Sequence, residues 1–184
     1  MIEVELKFPV VSIDDVRQRF LNLGATPHSI SDQSDEYLND PIRDFAKLDM
    51  ALRIRSSEGT YVLTFKGPNL DPIAKMRQEI ELPLVDGRAA GQMKGVFEEI
   101  GFCSVATVVK RREFLSLNWQ SENVHIFLDE VAEVGNFVEL ELVEHDSRML
   151  DAKQVLLNLA EAVGLTGAVR TSYLNMLLNN REKF

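Results

Sequence analysis

Apolar and charged residues alternate one for one at the start of the chain: Ile2, Val4, Leu6 and Phe8 are apolar, and Glu3, Glu5 and Lys7 between them are charged. A period of two predicts a β-strand over 2–8. The period then lengthens. Ile13, Val16, Phe20 and Leu23 recur at helical spacing, Ser12 stands as the cap with Asp15 three places later, and Gly24 is placed to end the helix. Extended segments follow at 29–38, 50–55 and 60–66, the last two joined by the Glu58-Gly59 turn, with a loop or single helical turn over 40–47. Further strands are predicted at 75–84, 105–117, 124–130 and 137–142. A helix is predicted over 87–100, stopped by Gly101, and two more close the chain at 148–163 and 169–178. About eight strands and four helices, in blocks that favour hairpins, predict an α+β fold.

An internal repeat runs through this pattern. Glu3 and Glu5 precede a helix ended by Gly24, Glu79 and Glu81 precede one ended by Gly101, and hairpin-forming strands follow each. The chain reads as two related β-α-β-β-β halves. No Ser/Gly-rich or Pro-rich linker separates them, so 1–184 is expected to be a single domain.

The residues that alternate with the aliphatics carry the chemistry. Besides Glu3, Glu5 and Lys7, the rows are Arg53 and Arg55, Thr64 and Lys66, Glu79 and Glu81, Lys110 and Arg112, Asp129, and Glu139 and Glu141. Strand side chains switch faces at each residue, so each row lines one side of its strand. One such row is an ordinary solvated face. Seven together, rich in Glu and Arg and poor in Ser, Gln and Asn, predict an inside-out sheet: helices cover the aliphatic faces, and eight strands close into an antiparallel β-barrel, a tunnel with its charges inside. Buried charge is costly unless paired, metal-bound or reached by ligand. Seven acids beside six bases suit a polyanion that arrives with a divalent cation, and a triphosphate is the natural guest. The chain lacks a GxxxxGK[ST] loop, so side chains would do the phosphate binding.

Composition narrows the classes. The chain has 184 residues, with 20 Lys and Arg against 29 Asp and Glu, a net charge of −9 that argues against coating nucleic acid or an anionic membrane. The longest apolar run falls short of the roughly 18–20 residues that cross a bilayer, and the opening MIEVELK lacks a leader pattern. Cys103 is the sole cysteine, so no intrachain disulfide forms, and a cytoplasmic protein is expected. His28, His125 and His145 are scattered, which leaves carboxylates as the expected ligands of any metal. Tyr173 reads as a core residue of an amphipathic helix, Phe65 and Phe127 as outward packing, and Cys103 as a small buried hydrophobe; Tyr37 reads equally as a nucleoside flank or as strand packing.

The ordered set ExExK at Glu3, Glu5 and Lys7, RxR at Arg53 and Arg55, TxK at Thr64 and Lys66, ExE at Glu79 and Glu81, KxR at Lys110 and Arg112, Asp129, and ExE at Glu139 and Glu141 resembles the CYTH superfamily of triphosphate tunnel metalloenzymes. The segments DEYLNDPIRDFAKLDMALRIR, TFKGP and RTSYLNMLL are most similar to class IV adenylate cyclases. The resemblance implies an eight-stranded antiparallel tunnel and Mg²⁺ or Mn²⁺ at Glu3, Glu5, Glu139 and Glu141, with Asp129 and Glu81 as further candidates. It implies triphosphate binding by Lys7, Arg53, Arg55, Lys66, Lys110 and Arg112, with Glu3, Glu5, Lys7, Lys66 and Lys110 as the catalytic set. The implied substrate is ATP, converted to cyclic AMP and pyrophosphate, and the implied assembly is a homodimer. The motifs define the triphosphate and leave the nucleophile open. Hydrolysis of tripolyphosphate or another triphosphate is therefore the alternative activity, and a binding module without turnover is the alternative class.

Overall fold

The alternation of the first residues is realised as β1, Ile2–Val10, in a computed structural model that describes residues 2–68, 75–144 and 149–183. Helix α1 (Ile13–Asn22) follows, with Ser12 Oγ accepting from the Asp15 amide, and the chain leaves it through Gly24 at φ +91°, a conformation that glycine adopts without strain. Strands β2 (Thr26–Asn39), β3 (Ala51–Ser57) and β4 (Thr60–Lys66) form an antiparallel meander. Both residues of the Glu58-Gly59 turn have positive φ, which matches the twist of a two-residue hairpin. Then come β5 (Lys75–Arg77), β6 (Glu79–Leu84), α2 (Gly87–Glu99) and a second meander of β7 (Cys103–Trp119), β8 (Glu122–Val131) and β9 (Gly135–Glu144). Helices α3 (Met149–Ala162) and α4 (Tyr173–Arg181) complete the order. Arg148, the expected start of the third helix, and His145 lie outside the described residues.

The nine strands form one antiparallel sheet in the order β5-β1-β9-β8-β7-β2-β3-β4-β6. The expected strand over 75–84 is thus two strands. At Gln78 the backbone carbonyl accepts from the Gly67 amide, 2.9 Å away, and the chain changes partner from β1 to β4. Its two pieces form opposite edges of the sheet, separated by one residue of chain. The expected eight-stranded antiparallel sheet is thus present with one of its strands in two pieces, nine described strands in all, and among the described residues no hydrogen-bonded ladder between β5 and β6 closes it into the expected barrel. The α+β class and the four helices agree with the pattern.

The expected halves are visible as β1-α1-β2-β3-β4 and β6-α2-β7-β8-β9. Each half's first strand pairs with the other half's last, β1 with β9 and β6 with β4, and the halves meet again at β2 and β7. The predicted closing helix over 169–178 starts later. Gly167 has φ +73°, the Val169 amide donates to the Lys7 carbonyl of β1, and Ser172 caps α4. Cys103, expected to be buried, is exposed at the start of β7.

The aliphatic faces of β1, β7, β8 and β9 pack under α1 and α3 in a core that includes Leu6, Phe20, Leu140, Leu156 and Leu159. A smaller core with Leu38, Phe45, Leu52 and Ile54 involves α2 through Ala90 and Phe97. Apolar residues on one face of each strand therefore go to the helices, and the opposite face is left for the charged rows. Leu156 is completely buried where α3 meets the sheet. Leu156→Ala is expected to cost about 2–5 kcal/mol of stability, read by denaturant unfolding.

Candidate active site

The inward rows converge on one cavity of about 520 Å³. Twelve of the thirteen charged residues predicted for the interior line it: Glu3, Glu5, Lys7, Arg53, Arg55, Lys66, Glu79, Glu81, Lys110, Arg112, Glu139 and Glu141. Asp129 lies beneath them at 0% exposure. Burial is uneven. Lys7, Arg53, Lys66 and Lys110 are buried, whereas Glu81 is exposed and joined to Thr64, whose Oγ1 donates to its Oε1 at 3.3 Å.

Strand register explains the pairs. Arg112 and Asp129 are direct partners of β7 and β8, and the guanidinium donates to both carboxylate oxygens at 2.6 and 2.5 Å. The same guanidinium reaches Glu139, and Lys110 Nζ lies 3.6 Å from Asp129. Lys7 and Glu139 are partners of β1 and β9 and stand 3.3 Å apart. Lys66 and Glu79, partners of β4 and β6, form an ion pair. The C-terminal segment closes over one end. Tyr173 is buried, its hydroxyl donates to Asp129 at 2.8 Å, and Lys7 Nζ sits 4.0 Å from its ring centroid while donating to the Thr171 carbonyl. Tyr173 is thus both a core residue and a wall of the cavity.

Three site residues escaped the sequence reading. Asp35 of β2 is 1% exposed; it accepts from Arg53 at 3.1 Å and from Arg55 at 2.6 and 2.7 Å, so one carboxylate orients both guanidiniums. Burial alone would raise its pKa, but Arg53 and the hydrogen bonds from Arg55 hold it well below the usual carboxylate range. Arg77 of β5 is buried on the cavity wall 3.5 Å from Glu79. The spacing Arg77, Glu79, Glu81 was a signal for that residue, since all three share parity. Phe127, expected to face outward, lines the cavity, because it shares parity with Asp129 and its ring lies under the Arg112 guanidinium at 4.3 Å. Phe65 does pack on the outer core.

The acids and bases that remain imperfectly matched are shifted. Burial pushes Glu141 up to about 7, and the neighbouring Glu5 adds to it. Burial also raises Glu3 well above the carboxylate range, with Lys66 opposing and Glu141, Glu79 and Glu5 reinforcing. Lys110 comes down to about 7, first by burial and then by Arg112, against the pull of Asp129 and Glu139. Among the described residues, no three His, Cys, Asp or Glu side chains are gathered closely enough to enclose an ion. The crowding of Glu3, Glu5 and Glu141 is nonetheless the chemistry of a hard divalent cation: oxygen donors whose mutual repulsion a positive charge would relieve.

An antiparallel sheet rolled around a cavity of opposed acidic and basic rows is what the fold and the site define together. The chain belongs to the CYTH domain family, whose model matches residues 1–173. A Methanocaldococcus jannaschii protein named "Putative adenylate cyclase MJ0240" is 32% identical over 179 residues, covering 96% of this chain and 98% of the relative. The solved structure of the PH1819 protein of Pyrococcus horikoshii is 33% identical, with a TM-score of 0.86 over 97% of this chain and 99% of that one. The fold is also shared, at 18% identity and a TM-score of 0.67, by HpAC1 of Hippeastrum, described as having a dominant triphosphatase activity; the match covers 97% of this chain and 95% of that one. No described helix is long and apolar enough to cross a membrane.

Two expectations follow from the electrostatics. Asp35→Ala leaves the buried Arg53 and the half-buried Arg55 guanidiniums without their anchor and should cost about 3–5 kcal/mol in denaturant unfolding. A carboxyl whose folded pKa is raised contributes stability that is present below its unfolded pKa and is lost as pH rises through the folded value. For Glu141 that window runs from 4.5 to about 7. In metal-free buffer, Glu141→Gln should therefore gain on the native protein as pH rises through that window, read as the difference in unfolding midpoint at each pH.

Proposed function

We propose that this chain is a divalent-metal-dependent enzyme that acts on an organic triphosphate held inside its charged sheet, with ATP cyclised to cyclic AMP and pyrophosphate as the reaction. The observation that carries the reading is one cavity in which a row of cations on β3, β4, β7 and β1 faces a crowded set of carboxylates on β1 and β9. In this reading the rolled sheet works as a tunnel. Lys7, Arg53, Arg55, Lys66, Lys110 and Arg112 take the phosphoryl oxygens, and Asp35 keeps the two β3 arginines aimed at them. Glu3, Glu5, Glu139 and Glu141 would hold Mg²⁺ or Mn²⁺, with Glu81 at the margin. A bound metal would lower the pKa of the attacking hydroxyl and neutralise charge on the phosphoryl oxygens.

Asp129 fits a different role from the metal ligation first expected of it. Arg112, Lys110 and Tyr173 already occupy it, so it supports the bases. In cyclisation the ribose 3′-hydroxyl attacks the α-phosphorus, the bond to the β-phosphate oxygen breaks, and pyrophosphate leaves with its charge met by the lysines and arginines. The cavity also has a non-ionic wall at Phe127, which inorganic tripolyphosphate would leave unused. This favours an organic triphosphate. The second reading is hydrolysis, in which water replaces the hydroxyl in the same apparatus; the triphosphatase activity described for the Hippeastrum protein of like fold favours keeping it.

The deciding experiment incubates the protein with ATP, tripolyphosphate and thiamine triphosphate in Mg²⁺ or Mn²⁺ and resolves the products. Cyclic AMP with pyrophosphate is expected; ADP or orthophosphate would select the hydrolase, and tight binding without product would select a binding module. Glu3→Gln and Arg53→Ala should each abolish turnover. Intact metal-dependent turnover in both variants would overturn the assignment of the site.

A further inference from the structure

Besides Tyr37, Val108, Val131 and Phe137, which pack under α4, the inward face of the sheet carries a second cluster of non-ionic side chains. Phe114 of β7 and Phe127 of β8 are register partners on that face, and their rings stack with centroids 5.2 Å apart. His28 of β2 stacks on Phe114 at 4.8 Å, and His125 of β8 meets Phe114 edge-on at 5.2 Å. Three adjacent strands thus contribute four rings to one cluster.

None of the four belongs to a hydrophobic core. Phe114 and Phe127 are half-buried, His28 is exposed, and the residues between them on β7 and β8, such as Leu115 and Ile126, are the ones that pack outward under the helices. Phe127 is the ring of the four that lines the cavity, and the cluster extends from it away from α4: Val108 of β7 packs with Tyr173, whereas Phe114 stands further along the same strand, past Lys110 and Arg112. Its junction with the cations is direct. The Arg112 guanidinium that binds Asp129 and Glu139 lies on the ring of Phe127. Gln33, whose register partner is Lys110, lines the cavity there, and its buried Oε1 has no hydrogen-bond partner among the described residues.

A half-open stack of rings beside a phosphate-sized row of cations has the form of a base-stacking platform, because every nucleobase offers a π-face to such rings whatever its sequence of donors and acceptors. We infer that His28, Phe114, His125 and Phe127 form the subsite for the nucleobase of a nucleoside triphosphate whose phosphates extend past Arg112 toward Lys7, with Gln33 Oε1 as an acceptor for a ligand hydroxyl or amine. The inference rests on the proposed triphosphate site and adds the part of it that reads the organic end of the substrate. It separates a nucleotide enzyme from one selective for inorganic tripolyphosphate.

The test measures binding calorimetrically in Mg²⁺ with two ligands that resist turnover: the analogue of ATP in which methylene groups replace both the α,β- and the β,γ-bridging oxygens, and a triphosphate analogue without a nucleoside whose bridging oxygens are methylene groups. Phe114→Leu keeps the apolar bulk and removes the ring face, and His28→Ala removes an exposed ring that supports no core. For Phe114→Leu the nucleotide analogue is expected to bind about tenfold more weakly. His28→Ala should shift it in the same direction, and the phosphate-only ligand should be unchanged in both, which also reports that the variants are folded. Equal weakening of both ligands, or no change in either, would overturn the platform. Native protein that binds the phosphate-only ligand as tightly as the nucleotide would overturn it too while leaving the triphosphate site intact; native protein that binds neither would overturn the triphosphate site itself.

Discussion

Charge withdrawn from water has to be answered by charge, and that constraint organises this protein from the inside. Asp129 shows it most completely: a fully buried carboxylate answered by Arg112, Lys110 and the Tyr173 hydroxyl. Asp35 repeats it on the other side of the β2–β7 junction with Arg53 and Arg55. Each pair is set by strand register, so a slip of one residue would turn the ions out and the aliphatics in. The outer cores under α1, α3 and α2 are what make the inward placement affordable, since they bury the alternate residues of the same strands. Fold and site are therefore one arrangement seen from two faces.

The matching is incomplete, and its incompleteness is directional. Around Asp129 and Asp35 the ions are closely paired. Toward β1 and β9 the carboxylates Glu3, Glu5 and Glu141 crowd one another, and two of them are held well above the usual carboxylate range by burial and mutual repulsion. Clefts in which titratable groups are pushed in opposite directions, as Glu141 and Lys110 are here, are places where a ligand gains most by arriving with compensating charge. A metal-bound polyanion brings both signs at once.

The alternation in EVELK, LRIR, TFK, EIE, KRR and ELE was enough to read the inward rows, because the charged positions kept strict parity with a burial pattern that the strands obey. Where parity was obscured, the reading failed. Strand β2 carries acids on both faces in DQSDEYLND, and its inward row of Ser31, Gln33, Asp35, Tyr37 and Asn39 is mostly uncharged, so the anchor at Asp35 gave no charged stripe to follow. Phe127 was misplaced although it sits two residues from Asp129, since an aromatic among charges suggests packing under a helix unless parity is counted. The break at Gln78 depends on which neighbouring strand each half of a continuous β-pattern meets, and that is a tertiary fact. The late start of α4 likewise follows from the Val169 amide finding the Lys7 carbonyl in β1, a contact between opposite ends of the chain.

The exchange of strands between halves has a consequence for how the molecule stays assembled. Because β1 completes the second meander and β6 the first, either half by itself would present unpaired backbone on both sides of its meander and half of an ionic lining without its counter-ions. Two separate copies of such a unit could satisfy one another only by association, at the mercy of concentration. Joining them in one chain turns that association into a loop closure, so the high effective concentration of each half for the other becomes a property of the covalent connection. The two halves also line the interior differently: arginines occupy the middle strand of one meander, and an aspartate surrounded by cations occupies the middle strand of the other.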